Sequence, residues 1–125
     1  MTAFKTILIS FGTMFFVVCC SAMLLFNWHA LGYKTLDVPT GSMRPTISPD
    51  SLVLMKSVPI TAIKDGDIIT YTNPRNLSET ITHRVIKSYM IATKIPAFIT
   101  KGDANPSTDP PVVSGYIKGK VVWDI

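Results

Sequence analysis

Four polar side chains beyond residue 40 are of the types that carry out nucleophilic acyl transfer: Ser42, His83, Asp103 and Asp109. A serine hydroxyl becomes a nucleophile when a base such as histidine accepts its proton. A carboxylate that accepts a hydrogen bond from the imidazole holds that histidine in the required tautomer. The sequence therefore offers a nucleophile, a base and two candidate acids, provided that the fold brings them together.

Ser42 lies in a short segment, residues 38–47, that combines extended and bent backbone. Pro39 and Pro45 push the residue before each of them toward extended geometry, and Gly41 tolerates backbone angles that other residues resist. Ser42 is therefore predicted to lie on a constrained turn. Serine and glycine also dominate turns that carry out no chemistry, so a purely structural turn is the more common alternative.

His83 lies in a segment of alternating polar and apolar residues, 80–89, which predicts a β-strand. On a strand its side chain would share a face with those of Ile81 and Val85. Histidines in such positions are more often partly buried core residues. An ordinary histidine pKa of about 6.5 also allows the imidazole to accept a serine proton near neutral pH.

Asp103 and Asp109 both lie in residues 100–111, which predict the end of a strand followed by a rigid, proline-containing loop. Either aspartate could do no more than stabilise a turn through its own backbone. Either could instead orient the imidazole of His83 and stabilise the imidazolium that forms during acyl transfer.

The amino-terminal part of the chain is apolar. Residues 6–33 contain no Asp, Glu, Lys or Arg, and residues 7–28 would form a helix about 33 Å long, enough for a bilayer core of about 30 Å. A cleavable signal peptide usually has a shorter apolar stretch, of about 7 to 15 residues. A core helix is the other alternative, but the rest of the chain is too short to cover it on every face.

We therefore predict a short tail at 1–5, a transmembrane anchor at 6–28 and an extracytoplasmic β catalytic domain at 34–125. Lys5 and the terminal amine precede the apolar segment, which favours an amino terminus on the cytoplasmic side. The basic residues Lys34 and Arg44 on the other side weaken that preference.

The remainder of the chain predicts short strands joined by turns. The strand-like segments are 52–55, 67–72, 80–89, 97–100 and 116–122. The chain has 9 Pro and 7 Gly, and no helical period follows Tyr33. The predicted fold class is mainly β: one transmembrane helix followed by a small, mostly antiparallel β domain.

Composition argues against several other classes. The net charge of +4 is mild and no basic run is interleaved with aromatic residues, which argues against nucleic acid as a partner. The adjacent Cys19 and Cys20 lie in the apolar segment, and the chain has 2 His, so we expect neither a structural zinc site nor another cofactor.

The kind, order and spacing of these residues resemble those of membrane-bound type I signal peptidases, and the resemblance runs from the anchor almost to the last residue. Four motifs follow the span in the family's order. They are Thr40-Gly41-Ser42-Met43-Arg44-Pro45-Thr46, Asp65-Gly66-Asp67-Ile68-Ile69-Thr70-Tyr71, Thr82-His83-Arg84-Val85 and Lys101-Gly102-Asp103-Ala104-Asn105, with Asp109 beyond the last.

The chain looks most like the ER-type branch of that family, because His83 stands where the common bacterial branch has a lysine. The resemblance implies that Ser42 is the nucleophile and His83 the base. It favours Asp109 as the acid, with Asp103 structuring the site or sharing the role. The sequence departs from the family in having Thr40 where serine is usual, and in showing no second hydrophobic segment before Ile125, which leaves open a single-span form or a truncated one.

By this resemblance the protein is a serine endopeptidase that removes signal peptides from preproteins after small residues. Its partners would be those signal peptides, the lipid bilayer and, if it works in a complex, other secretion components. We expect the substrate to be bound by Asp37, Val38, Pro39, Gly41, Met43, Ile81 and Thr82. The alternatives are a related Ser-Lys protease, against which His83 argues, and a noncatalytic membrane-anchored β subunit of a secretion complex.

Overall fold

The computed structural model describes residues 1–124 and divides into two compact units, Met1–Gly32 and the chain from Tyr33 onward. The first unit is a single helix, α1 (Thr2–Ala30), in which no side chain is buried. Its 29 residues correspond to a length of about 44 Å. The helix is long and apolar enough to span a membrane, and it contains the predicted span at 6–28.

The second unit is a seven-stranded sheet in which every neighbouring pair of strands is antiparallel. The strands are β1 (Tyr33–Val38), β2 (Ser51–Lys56), β3 (Ile68–Asn73), β4 (Asn76–Ile91), β5 (Ile95–Lys101), β6 (Val112–Val113) and β7 (Ile117–Asp124). Their order across the sheet is β1-β2-β7-β3-β4-β5-β6. The predicted fold class is therefore confirmed.

Each of the five predicted strands is present, with ends that differ by a few residues. The sheet also contains two strands that were not predicted as such. Among the described residues β1 pairs with β2 alone and is an edge strand of the sheet. β6 is only two residues long, too short to show a periodic pattern. Single 3₁₀ turns at Ile60–Ala62 and Ser114–Tyr116 lie between strands.

The core of the sheet unit consists of two clusters of buried apolar side chains. The first, which we call the central cluster, contains side chains from β3, β4, β5 and β6 and from the segment before β3. Its members are Ile63, Ile69, Tyr71, Val85, Phe98 and Val112. The second, which we call the serine-loop cluster, comprises Val38, Met43, Ile47 and Val53. Because Met43 and Ile47 belong to it, the loop between β1 and β2 is fixed to the sheet on both sides of the Arg44–Pro45 bend.

β4 leaves part of one edge open. It pairs with β3 along residues 76–84, but its pairing with β5 begins only at Arg84. Residues 76–83 therefore have no strand on their second edge within the described part of the chain. His83 lies at the end of this open segment.

Candidate active site

Ser42, His83 and Asp109 form a continuous hydrogen-bonded chain. Ser42 Oγ lies 3.1 Å from His83 Nε2, and His83 Nδ1 lies 2.6 Å from Asp109 Oδ2. An ionised carboxylate can only accept, so Nδ1 carries the proton and donates it, and Nε2 is left to accept from the serine hydroxyl. This arrangement allows the imidazole to take the serine proton.

The position of Ser42 is fixed by its neighbours in the chain and by the loop that contains the aspartates. Met43 is fully buried in the serine-loop cluster, which anchors the residue that follows the hydroxyl. The carbonyl oxygen of Ser42 accepts a hydrogen bond of 2.9 Å from the backbone N–H of Ala104. The serine loop is thus tied both to the core and to the loop after β5.

His83 is held by the strand on which it lies. Its neighbours on the same face, Ile81 and Val85, pack into the central cluster, as the alternating pattern predicts. Its side chain retains 10% of its accessible surface, so the imidazole is enclosed but reachable. Thr82 faces the opposite way and its hydroxyl lies 2.9 Å from that of Thr70 on β3.

Asp109 is held by two further hydroxyl groups and by its own backbone. Its Oδ2 accepts hydrogen bonds from Thr100 Oγ1 at 2.8 Å and from Tyr71 Oη at 3.3 Å. Its backbone N–H donates to the carbonyl oxygen of Thr100 at 2.7 Å. Burial raises the pKa of Tyr71 to about 12, so the phenol remains protonated and able to donate.

Asp103 occupies a different place. Its Oδ1 and Oδ2 accept hydrogen bonds from Nε and Nη2 of Arg84 at 2.8 and 2.7 Å, and Thr46 Oγ1 donates to Oδ2 at 2.6 Å. The hydrogen bonds from the Arg84 guanidinium hold the pKa of Asp103 below its usual range. Asp103 therefore joins the loop after β5 to β4 and to the serine loop, and its carboxylate is directed at Arg84 instead of His83.

We expect Asp103→Asn to lower the free energy of unfolding of the sheet unit by about 1 to 3 kcal/mol near neutral pH, because it replaces a charge-assisted pair of hydrogen bonds. The pKa of Asp103 is lower in the folded protein than in the unfolded chain, where an aspartate titrates at about 3.9. The stabilisation is therefore present above that pH and is lost as the pH falls through the folded value. Urea unfolding of the full chain in detergent, at neutral and acidic pH, measures this.

Asp50→Asn is the matched control, because Asp50 is exposed and its positive φ of 58° suits asparagine. We expect its unfolding free energy to stay close to that of the wild type at both pH values. If the free energies of unfolding of the wild type and Asp103→Asn differ little at neutral pH, or differ more in acid, the role given to the Arg84–Asp103 pair is contradicted.

A groove with a volume of ≈ 340 Å³ runs beside Ser42 and His83. One wall is the end of β1 and the residues after it, and the other is the open edge of β4. Five of the seven residues predicted to bind substrate line this groove: Asp37, Val38, Pro39, Ile81 and Thr82.

Met43 and Gly41 do not line this groove, so their contact with substrate stays a prediction. Met43 is next to Ser42 in sequence, and its apolar side chain is fully buried in the serine-loop cluster. Gly41 instead packs beside the Arg44 side chain, since a Cβ placed on it would lie 3.5 Å from Arg44 Cδ.

The groove also has lining residues that were not predicted: Thr40, Glu79, Thr80 and Asn105. Glu79 and Thr80 could have been found by extending the pattern of β4 toward its start. Thr40 and Asn105 lie within the recognised motifs, but nothing in their type distinguishes them from turn residues. Among the described residues, no three His, Cys, Asp or Glu side chains gather as metal ligands.

Comparison of the sequence with known proteins shows which family the chain belongs to. Residues 8–87 match the family described as signal peptidase, peptidase S26, a range that includes Ser42 and His83. Signal peptidase I W of Bacillus subtilis (strain 168) is 33% identical over 84 residues, which cover 66% of this chain and 43% of that relative. The match therefore covers less than half the length of this relative. On the extent of the family match, the chain belongs to the signal peptidase family, peptidase S26.

Proposed function

We propose that this protein is a membrane-anchored serine endopeptidase that removes amino-terminal signal peptides from preproteins. In this proposal Ser42 is the nucleophile, His83 the general base and Asp109 the acid that orients it. The observation that carries the proposal is the hydrogen-bonded chain from Ser42 to Asp109 beside an open groove. A histidine in place of lysine as the base supports the ER-type, Ser-His-Asp branch of the family.

The chemistry follows from the tautomer of His83. Nε2 accepts the Ser42 proton as the serine oxygen attacks the scissile carbonyl, and the imidazolium that forms is stabilised by Asp109. The same proton then passes to the leaving amine, and the acyl group remains on Ser42. A water molecule, activated by His83 in the same way, hydrolyses the acyl-enzyme and regenerates the serine.

The oxyanion formed in both steps needs hydrogen-bond donors near Ser42. Backbone N–H groups of the serine turn are candidates, and each donor of this kind can contribute about 2.7 to 4 kcal/mol to the transition state. Thr40 adds a hydroxyl 3.1 Å from Ser42 Oγ. Because threonine retains the hydroxyl of the serine usual at this position in the family, the departure preserves a possible donor.

The groove suits an extended peptide. Its walls are an edge strand, β1, and the segment of β4 that has no strand on one side among the described residues, so backbone N–H and C=O groups are available to pair with an added strand. In the family, shallow pockets accept small residues at the first and third positions before the cut. Ile81 and Val38, which line the groove, are apolar groups suited to that contact.

The apolar helix contributes proximity in this proposal. An anchor in the same bilayer as the signal peptide confines enzyme and substrate to one plane, which lowers the entropic cost of their encounter. Lys5 before the helix favours a cytoplasmic amino terminus, with the sheet unit on the extracytoplasmic side.

The proposal is tested with the full chain in detergent micelles and a model preprotein that has alanine at the first and third positions before the cut. We expect one cleavage, at that bond, identified by mass spectrometry of both products. A substrate with leucine at the first position should remain intact. A folded, inserted chain that cuts neither substrate would contradict the proposed activity.

The contact between Gly102 and Ser42 leads to a further prediction. A Cβ on Gly102 would lie 2.6 Å from the Ser42 carbonyl oxygen and 2.7 Å from Asn105 Nδ2, so the serine turn or Asn105 must move. We expect Gly102→Ala to lower kcat about 10- to 100-fold, because misplacing a reacting group by about 1 Å has effects of that size. Steady-state cleavage of the model preprotein measures this.

Gly115→Ala is the matched control, since a Cβ on Gly115 would meet nothing within 4 Å. Its rate should equal that of the wild type. A folded Gly102→Ala protein with an unchanged kcat would show that the close packing of this glycine against the serine turn does not matter for the reaction.

A further inference from the structure

Behind the proposed acid lie two buried hydroxyl groups for which core packing gives no reason. Thr100 is fully buried and Tyr71 is 2% exposed. Tyr71 belongs to the central cluster with Phe98, which is buried to the same extent without a hydroxyl. A phenylalanine would fill the Tyr71 position without the cost of burying a polar group.

The hydroxyl groups of Thr100 and Tyr71 donate hydrogen bonds in the direction of Asp109. Thr100 Oγ1 lies 2.8 Å from Asp109 Oδ2, and because an ionised carboxylate can only accept, Thr100 must donate to it. Thr100 Oγ1 is then free to accept from Tyr71 Oη, 3.0 Å away. Tyr71 Oη also lies 3.3 Å from Oδ2 itself. The single Tyr71 proton is therefore shared between Thr100 Oγ1 and Asp109 Oδ2, and Thr100 donates to the same carboxylate oxygen that receives the proton of His83 Nδ1.

This convergence has a consequence for the imidazole. Donors on Oδ2 stabilise the charged form of the carboxylate, and they restrict its rotation so that the oxygen stays directed at Nδ1. We propose that Tyr71 and Thr100 are positioning residues for the reaction, which hold the carboxylate of Asp109 aimed at His83. This inference rests on the proposed function, and neither residue touches the groove in which the substrate would bind.

Two variants of Thr100 separate this role from simple packing. Thr100→Val keeps the volume and removes the hydroxyl, whereas Thr100→Ser keeps the hydroxyl and removes a methyl group. We expect Thr100→Val and Tyr71→Phe each to lower kcat about tenfold with KM retained, the size of one charge-assisted hydrogen bond. Thr100→Ser should retain the wild-type kcat even if it is less stable. If Thr100 served only in packing, Thr100→Val would retain the wild-type kcat and Thr100→Ser would have the lower kcat.

The pH profile is a second readout. A carboxylate with fewer donors is protonated more readily, and while ionised it binds the imidazolium more tightly. Both effects move the acid limb of kcat/KM to higher pH in Tyr71→Phe and Thr100→Val. Among the charged groups nearby, Arg75 lines the same cavity of ≈ 240 Å³ as Asp109 and Glu79 interacts electrostatically with Tyr71, and both are unchanged in every variant. Tyr116→Phe, at the edge of the central cluster, is the control and should leave the profile unchanged.

The proton on His83 Nδ1 gives a readout that does not depend on cleavage. In a hydrogen bond of 2.6 Å to a carboxylate it should appear as a low-field proton resonance in the full chain in micelles, absent from His83→Ala. We expect this resonance to move in Tyr71→Phe and Thr100→Val but not in Tyr116→Phe.

The outcomes for the inference and for the proposed function are distinct. If the wild type cleaves the preprotein and the two hydroxyl variants match it in kcat, pH profile and resonance, the positioning role is wrong and the activity stands. If the wild type cleaves nothing, the proposed activity fails, and the resonance still decides whether the hydroxyls position the carboxylate.

Discussion

Replacing Ser42 by alanine should abolish cleavage of the model preprotein while leaving the sheet unit folded. We expect kcat to fall by about 10⁴- to 10⁶-fold, the range seen when the nucleophile of a serine protease is removed. The side chain contributes only a hydroxyl, which contacts His83 and Thr40, and the anchoring of the loop comes from Met43 and Ile47. Loss of activity should therefore not be accompanied by loss of structure.

The same reasoning makes His83→Ala nearly as damaging and the double variant no worse than either single one. Residues that act as one unit in a reaction are not additive, because removing the nucleophile leaves the base nothing to activate. Ser57→Ala, an exposed serine just after β2, is the matched control and should cleave at the wild-type rate. Substantial cleavage by Ser42→Ala would instead favour a noncatalytic role for this chain, with a contaminating protease as the source of activity.

Much of the fold follows from local sequence patterns. A long uncharged segment predicts α1, and alternating or β-branched segments predict five strands, because each of these features is visible within a few consecutive residues. β1 and β6 are different. An edge strand with one partner needs no strong alternation, and a two-residue strand exists only because β5 lies beside it.

The residue types of the candidate site could be predicted from the sequence, but the hydrogen bonds between them could not. Ser42 and His83 were predicted from their setting, whereas the two aspartates in one loop were equivalent by their local sequence, and only the family resemblance favoured Asp109. What separates them is long-range: the backbone of Asp109 bonds to Thr100, while the carboxylate of Asp103 bonds to Arg84 on β4. Tyr71 ends one of the recognised motifs, but neither it nor Thr100 was predicted to contact the site, because hydroxyl residues are common on strands and their meeting point is set by register.

Replacing the proposed acid, Asp109, should also cause a large loss of activity. We expect Asp109→Asn to lower kcat by about 10⁴-fold, as the same change does in a serine protease of another fold. An asparagine amide can donate to His83 Nδ1, which would place the imidazole proton on Nε2 and leave no acceptor for the Ser42 hydroxyl. The same amide can donate its second proton to Thr100 Oγ1, and the backbone hydrogen bond from residue 109 to Thr100 is retained, so the loop should keep its structure.

Asp103→Asn is the comparison that gives this result its meaning, because it makes the same chemical change in the same loop. It should lower stability through the lost pairing with Arg84, yet its kcat per folded molecule should stay within about tenfold of the wild type, since its carboxylate does not contact the imidazole. The kcat of each variant is measured at a temperature well below the midpoint of thermal unfolding of the less stable variant. If folded Asp103→Asn is inactive while Asp109→Asn cleaves normally, then Asp103 is the acid, and the short bond between Asp109 and His83 serves only to hold the strand and the loop together.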